Sequence, residues 1–365
     1  MNTESSSARI DADGHANGTI RPAPADPEPV SPLAAASPVV LLSSRRRLSR
    51  RTLPWLRRFG AIAALAILIV AATILSPNFL TTANIRLQLQ TFCLSTALIS
   101  VGQTLVILTG GIDLSVGALL AVGSCLGGLL VNNGAPLPLV FAAPVLLTAA
   151  IGGASGTIIA KARIQPIVVT LAMMIAARGV AQLITSDATL NLSDDTFNNL
   201  ATTQLGPVPV LGLIPVSVVL ATAIYVAASL FLTRTVPGRY VFAVGGNERA
   251  ARLSGVAADR VKIAVYAVSG LLAGLAGVLY ASYNQTADPL NDGFLFELTT
   301  IASVVVGGTS LLGGVGGVWR TLVGGLILAV LYALFIQAGW STPAQLIAQG
   351  LIIAGAVILQ GGAEG

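Results

Sequence analysis

TRTVPGRYVFAVGGNERAARLSGVAADRVK, residues 233–262, is the one long charged stretch in an otherwise apolar chain. It holds six of the 20 Lys and Arg residues: Arg234, Arg239, Arg249, Arg252, Arg260 and Lys262. On either side lie apolar runs of about 20 residues, the length that crosses a bilayer. A basic, partly helical loop between two such runs predicts a membrane protein with a docking surface on its cytoplasmic side. Pro237-Gly238 predicts a turn, and Gly245-Gly246 a second. Asn247 is a good N-cap, and ERAARLS (248–254) predicts a short helix. Glu248 and Arg252 stand at i,i+4 in it, and Gly255 is its C′ stop. A helix about 10 Å long is marginal alone, so its flanking spans or a partner must hold it. The plainer alternative is an ordinary solvated loop helix. Defined caps at both ends, in a chain whose other cytoplasmic loops are very short, favour a partner.

Working outward, 54% of the 365 residues are hydrophobic and 10% are charged. Soluble domains carry about 25% charged residues, so most of this chain faces lipid or its own interior. The mean hydropathy is +0.83. The 39 glycines suit close helix approach in a membrane. The net charge of +5 sits at the ends of apolar runs and not on a soluble domain, which excludes nucleic acid as a partner. Cys93 and Cys125 lie in apolar runs with no CxxC partner and read as packing residues. The single histidine, His15, lies near the N-terminus, which leaves no His-based metal site and no Ser-His-Asp site in the membrane body. Lys161 follows Ala and Lys262 follows Val, so neither completes a phosphate-binding GxxxxGK[ST] loop.

Residues 1–44 are rich in Ala, Pro, Ser and Asp, with six prolines, and read as a disordered cytoplasmic tail. RRRLSRRTLPWLRR (45–58) adds seven arginines. Arg50-Arg51 faintly resembles a twin-arginine export signal, but Pro54 and Trp55 stand where that signal wants apolar residues. The run reads as a positive anchor before an uncleaved first span. The domain division is thus a tail at 1–56 and a membrane domain at 57–361. The fold class is an all-α integral membrane protein of about ten transmembrane helices. The predicted spans are 59–76, 88–109, 113–131, 138–160, 166–184, 211–232, 262–281, 297–312, 318–338 and 343–360. The eighth is the weakest, because GGTSLLGGVGG (307–317) suits a re-entrant turn. Threading ten spans from a cytoplasmic N-terminus puts 18 of the 20 cations inside. Arg86 falls outside and Arg178 within a span. Asp187, Asp194, Asp195, Asp288 and Asp292 fall on the far side, and both termini are cytoplasmic.

VGQTLVILTGGIDLSVGALLAVG (101–123) is the most distinctive apolar run. Gly110-Gly111 breaks a helix, and Asp113 stands where its carboxylate can accept from the first N–H groups of the next one. That reads as an N-cap, and a capped broken helix at the membrane face also reads as a candidate gate. Gly117, Gly123, Cys125 and Gly127 form a small-residue packing face. Arg178 lies twelve residues past Pro166, about 18 Å deep at 1.5 Å per residue. A lone cation there must face the interior, snorkel or find carbonyls, in a polar pathway or in a structural role at helix ends.

These stretches resemble the permease subunit of an ATP-binding-cassette importer of the ribose/xylose/arabinose type. The matching blocks, in order, are 101–123, QPIVVTLAMMIAARGVAQLIT (165–185), GRYVFAVGGNERAARLSGV (238–256), SGLLAGLAGVLYASY (269–283) and ELTTIASVVVGGTSLLGGVGGVWRTLVGGLI (297–327). The resemblance covers about 57–360. It implies that 233–262 is the coupling loop, which inserts into a groove of the ATPase. Gly238, Arg239, Gly245, Gly246, Asn247, Glu248, Ala250, Ala251, Arg252 and Gly255 are the candidate coupling residues. Ala250, Ala251 and Gly255 fit the importer pattern E-A-A-x-x-x-G, whereas Glu248 stands one position early and the later proline is absent. The candidate gate comprises Gly110, Gly111, Asp113 and Arg178. The resemblance also implies a paired permease, a homodimer or a heterodimer. A cytoplasmic ATPase holding ATP-Mg and a periplasmic sugar-binding protein complete the assembly, and this chain binds no cofactor or metal of its own. The expectation is a non-enzymatic inner-membrane permease for a monosaccharide. Few charges suit a neutral sugar, and the 5% aromatic content argues against a tight stacking site in the permease. The alternatives are another small solute on the same scaffold, such as a branched-chain amino acid, a nucleoside or a sugar-like signal, and, from another class, an ion-coupled transporter. The latter would place ionisable groups near the midplane, where only Arg178 is deep.

Overall fold

The computed structural model describes residues 53–208 and 212–364. The tail at 1–44 and most of the arginine run at 45–58 lie outside the described residues, and with them most of the tail division at 1–56. Among the described residues the chain is mostly helix. It begins with α1 (Leu53–Leu75). Next, α2 (Thr82–Phe92), a π-helical turn (Cys93–Ala97) and α3 (Leu98–Leu108) run on as one rod. Then come α4 (Val116–Asn132), α5 (Leu137–Ala162) and α6 (Pro166–Thr185). After β1 (Leu190–Asn191) and α7 (Asp195–Thr202), β2 (Gln204–Val208) and β3 (Gly212–Pro215) form a hairpin. The charged stretch spans the end of α8 (Val216–Arg234), α9 (Val236–Gly246), α10 (Glu248–Leu253) and the start of α11 (Ala258–Asn284). β4 (Thr286–Ala287), α12 (Phe296–Val306), α13 (Val318–Gln337) and α14 (Thr342–Glu364) close the chain.

Among the described residues six helices are long and apolar enough to cross a membrane: Thr82–Leu108, Leu137–Ala162, Pro166–Thr185, Val216–Arg234, Ala258–Asn284 and Val318–Gln337. Proline sits in the first turn of α5 and α6, where its missing N–H costs nothing and its fixed φ favours the helix. The predicted span 297–312 is corrected. α12 ends at Val306, because Gly307 and Gly308 follow and Gly308 takes φ +83°. Its 11 residues reach about 16 Å, half a hydrocarbon core.

α11 is the hub. It lies against α3, α4 and α5 at distances that exclude side chains. A Cβ on Gly102 would stand 2.8 Å from the Ser269 Cα, one on Gly123 2.8 Å from the Gly274 Cα, and one on Gly156 2.9 Å from the Ile263 Cα. In lipid no hydrophobic force drives helices together, so dense packing of small residues has to do it. Gly123 and Gly127 pack on α11 as the small-residue face predicts, while Gly117 meets Gly293 and Glu297 instead. α5 and α6 turn large apolar side chains outward, among them Leu146 at 67% and Ile175 at 67% exposure. Such surfaces suit acyl chains. β1 and β4 pair with Leu190 opposite Ala287, tying the segment after α6 to the end of α11.

Candidate functional site

The charged stretch is an elbow of two short helices and not an open loop. Pro237-Gly238, read as a turn, forms the first turn of α9, with the Thr235 hydroxyl accepting from the Gly238 N–H at 3.1 Å. A Cβ on Gly238 would lie 2.7 Å from the Leu232 Cα, so glycine lets α9 fold back on the end of α8. Gly245-Gly246, read as a second turn, forms the last turn of α9, and the chain bends one residue later at Asn247. The Asn247 side chain accepts from the Ala250 N–H at 2.9 Å and starts α10, as predicted. At the other end Gly255 takes φ +84°. Its N–H donates to the Arg252 carbonyl and the Val256 N–H to the Ala251 carbonyl, each at 3.0 Å. That is a Schellman stop, worth most with glycine in the left-handed position.

Two contacts fix α10 in place. Ala251, Val244 of α9 and Ala258 of α11 form a small buried cluster of their own. Around it runs an ionic chain. Glu248 accepts from Arg252 at 2.8 Å and from Lys262 at 2.6 Å, and Arg252 also donates to Asp259. Partial burial pushes the Glu248 carboxyl up, yet hydrogen bonds from Lys262 and Arg252 hold it below its usual range. Arg239, Arg249 and Ala250 are exposed, as is Leu253 at 85%. Arg249 and Arg260 make no ion pair among the described residues. Leu253 is inconspicuous in the sequence because apolar residues near a membrane are common. Its signal was an apolar side chain in the last turn of a charged helix.

The inner face of the elbow touches the Gly110 turn. α3 ends at Leu108, and Gly110 takes φ +78°. A Cβ on Gly245 would meet the Leu108 carbonyl and stand 2.6 Å from the Gly314 nitrogen. One on Gly313 would stand 2.8 Å from the Gly110 nitrogen and 3.0 Å from the Gly245 Cα. The Gly314 N–H donates to the Leu108 carbonyl at 3.0 Å. Three glycine pairs far apart in sequence thus meet backbone to backbone. Gly111 lies just beyond, with a virtual Cβ pressed against the Tyr266 hydroxyl and Val106.

Asp113 is fully buried. The N-cap reading is corrected: Ser115 occupies the N-cap of α4, and Asp113 stands two residues earlier. Its Oδ1 accepts from the Ser115 N–H at 3.0 Å and the Ser115 hydroxyl at 2.6 Å. Its Oδ2 accepts from the Ser269 hydroxyl of α11 at 2.9 Å. Arg178 lies elsewhere and makes no ion pair with it. The Arg178 Nη1 donates to the carbonyls of Pro289 at 2.9 Å and Asp292 at 2.8 Å. The Asp292 carboxylate accepts from the Ser124 hydroxyl and, at 3.0 Å, from the Asp288 N–H. The structure therefore joins Gly110 to Gly245, and leaves Asp113 and Arg178 as separate centres.

Residues 85–359 match the family described as branched-chain amino acid transport system / permease component. The chain is 40% identical to the ribose import permease protein of Escherichia coli strain K12 over 84% of this chain and 95% of that protein. It is 37% identical to the ribose import permease protein of Bacillus subtilis strain 168, over 83% and 92%. It is 33% identical to the L-arabinose transport system permease protein of Escherichia coli strain K12, over 82% and 89%. No solved structure matches the chain.

Proposed function

The chain belongs to the permease-component family of branched-chain amino acid transport systems, and we infer that it is the membrane subunit of an ATP-driven importer of a monosaccharide. What carries the reading is that sugar-import permeases match it along nearly all of their own length. It is a multi-pass protein of the bacterial inner membrane and not itself an enzyme. ATP-Mg is held by a separate cytoplasmic ATPase, a periplasmic binding protein delivers the sugar, and a second permease chain completes the path.

Ten passages with both termini cytoplasmic fit the contacts, the eighth made by the short α12 together with the 307–317 turn and not by a full-length helix. Threaded that way, the turns at 110, 245 and 313 share the inner side, and they touch one another. Arg178 and the 288–293 segment share the outer half, and they are hydrogen-bonded. The elbow is the coupling surface. Arg249, Arg260 and the exposed Leu253 suit a partner groove with acidic and apolar walls. Glu248, Arg252, Asp259 and Lys262 hold α10 in shape. When the ATPase closes on ATP, a push on α10 passes through its small cluster to α9. From Gly245 it passes backbone to backbone to the ends of α3 and of the 307–317 turn. Packed elements of this kind shift between discrete arrangements and do not deform smoothly. Gly110, Gly111 and the buried Asp113 then sit where the inner gate moves, while Arg178 fixes the outer loop.

The test is uptake of radiolabelled ribose and arabinose by proteoliposomes holding this chain, its ATPase and its binding protein. Uptake should require ATP and the binding protein. Uptake driven by an ion gradient without ATP points to the secondary-transporter reading. Uptake of leucine in place of either sugar points to the amino-acid cargo named by the family. Reporters fused after residues 250 and 285 should read cytoplasmic and periplasmic, and the reverse overturns the ten-span threading.

A further inference from the structure

A cavity of about 390 Å³ opens between α2, the π turn, α11, α12, α13 and α14. It lies apart from the elbow, the gate and Arg178. None of its lining residues is charged. Six are aromatic: Phe92, Tyr280, Phe294, Phe296, Tyr332 and Phe335. The whole chain has 10 Phe, 6 Tyr and 3 Trp, so about a third of its aromatic rings line one cavity. An overall aromatic content of 5% hides this clustering. Tyr280 and Phe296 meet edge to face with centroids 5.7 Å apart, which fixes both ring planes. Gly325 leaves room for Phe92, since a Cβ there would stand 2.8 Å from the ring.

Against the rings stand neutral hydrogen-bonding groups. Gln88, Gln345 and Gln349 bring amides, and Thr91, Ser95, Thr96 and Thr299 bring hydroxyls. Ser95 and Thr96 belong to the π turn, a distortion that recurs at functional sites because it re-aims side chains. Gln349 donates to the Thr299 hydroxyl at 2.8 Å, which orients its amide, and its carbonyl oxygen has no partner among the described residues. The Gln88 side chain makes no hydrogen bond among the described residues, its backbone being part of α2. Gln345 is buried and donates to the Trp340 carbonyl at 2.8 Å, which leaves the Gln88 amide and the Gln349 carbonyl oxygen open. Such groups beside acyl chains would be costly, so a lipid groove does not account for them. A hydrated path for a polar, uncharged solute does.

We propose that this cavity is a weak monosaccharide subsite inside the permease, a way-station that ring faces and neutral amides offer to a sugar between binding protein and cytoplasm. The proposal rests on the sugar-importer reading. A sugar presents C–H faces that stack on aromatic rings and hydroxyls that need donors and acceptors without charge. The volume lies in the range of small-ligand sites, which begin near about 300 Å³. Weak binding is what transport requires, because the solute must leave as readily as it enters.

The experiment uses the full complex of permease, ATPase and binding protein in proteoliposomes, with radiolabelled ribose and arabinose as probes. Gln349→Leu with Gln88→Leu should lower sugar uptake about tenfold, about what two lost hydrogen bonds predict. ATP hydrolysis stimulated by the loaded binding protein should stay within about twofold of wild type. Ala329→Trp, which fills the cavity, should block uptake while leaving that hydrolysis in place. Sugar uptake at the wild-type level in both variants overturns the subsite and leaves the importer reading standing. A wild-type complex that carries neither sugar fails the importer reading itself, and the subsite with it.

Discussion

The two ends of this bundle are held in opposite ways. At the end of the elbow, contact is made by leaving side chains out. Gly110, Gly245 and Gly313 bring three backbones together, with Gly313 spaced so that even a Cβ would lie 3.0 Å from the Gly245 Cα. At the other end contact is made by a long side chain. Arg178 reaches from α6 to the carbonyls of Pro289 and Asp292, and the Asp292 carboxylate in turn takes the Ser124 hydroxyl. A backbone contact has no rotamers and passes a displacement on at once. A guanidinium on a flexible stem yields to small shifts and resists large ones through charge-assisted hydrogen bonds. The first suits a joint that transmits and the second a latch that holds a loop.

Gly245 is the most sensitive point of the joint. A valine there collides with the Leu108 carbonyl and the Gly314 nitrogen, both backbone atoms with nowhere to go. Transport should fall by at least tenfold, because overpacking costs about 1–3 kcal/mol or more. Gly246 is the control, since nothing lies within 4 Å of its virtual Cβ. Gly246→Ala should keep near-normal uptake. Equal losses in both variants end the claim that Gly245 is the contact. ATPase activity measured alongside distinguishes uncoupling, where hydrolysis persists, from misfolding, where the complex does not assemble.

Arg178 comes next. Arg178→Ala removes two hydrogen bonds from a cation to carbonyls, each worth about 1.5–3 kcal/mol, and leaves those carbonyls short of partners. Uptake should fall more than the amount of protein in the membrane. Lysine should restore part of it, since both bonds leave the single nitrogen Nη1 and a three-donor ammonium on a shorter stem replaces it in part. A fall in protein level alone would mean that the latch is structural only.

Much of this layout was legible from residue types. Long apolar runs marked the helices, and Asn247 with Gly255 marked both ends of α10. Those signals are local, since a cap and its orphan N–H groups lie within four residues of each other. Local signals also misled. Pro237 reads as a turn former, yet proline in the first helical turn is equally at home, and only the fold-back of α9 on α8 decides between them. Asp113 reads as a cap only if α4 begins three residues before its actual start at Val116. The meeting of Gly110, Gly245 and Gly313 was illegible, because nothing in a glycine says which distant backbone it will touch. The aromatic cavity was hidden for the same reason, its rings being spread from Phe92 to Phe335.

Asp113 sharpens the contrast with a middling effect. Asp113→Asn keeps one oxygen for the Ser115 N–H and hydroxyl, and its amide can donate to the Ser269 hydroxyl, which rotates to accept. Thermal stability should drop by about 1 kcal/mol or less, whereas Asp113→Leu should cost about 2–4 kcal/mol by orphaning the Ser115 N–H and two hydroxyls. If Asp113→Asn abolishes uptake without moving the melting temperature, the carboxylate acts in gating and not merely in packing.

The smallest effect lies on the elbow's own surface. Glu248 is held below its ordinary pKa, against partial burial, by hydrogen bonds from Lys262 and Arg252. A carboxylate depressed in the folded state adds stability above its unfolded value, and that stability is lost as pH falls through the folded one. The ionic chain should therefore be intact at neutral pH and loosen only below about pH 4. Exposed pairs are worth about 0–1 kcal/mol each, so the rest of the fold should not notice. Hydrogen exchange on α10 should quicken in that acid window while exchange on α11 past Ser269 stays slow. Glu248→Gln should give the faster exchange already at neutral pH. If α10 exchanges no faster in acid or in that variant, the Val244–Ala251–Ala258 cluster alone holds the coupling helix, and the charges around it are free to face the partner.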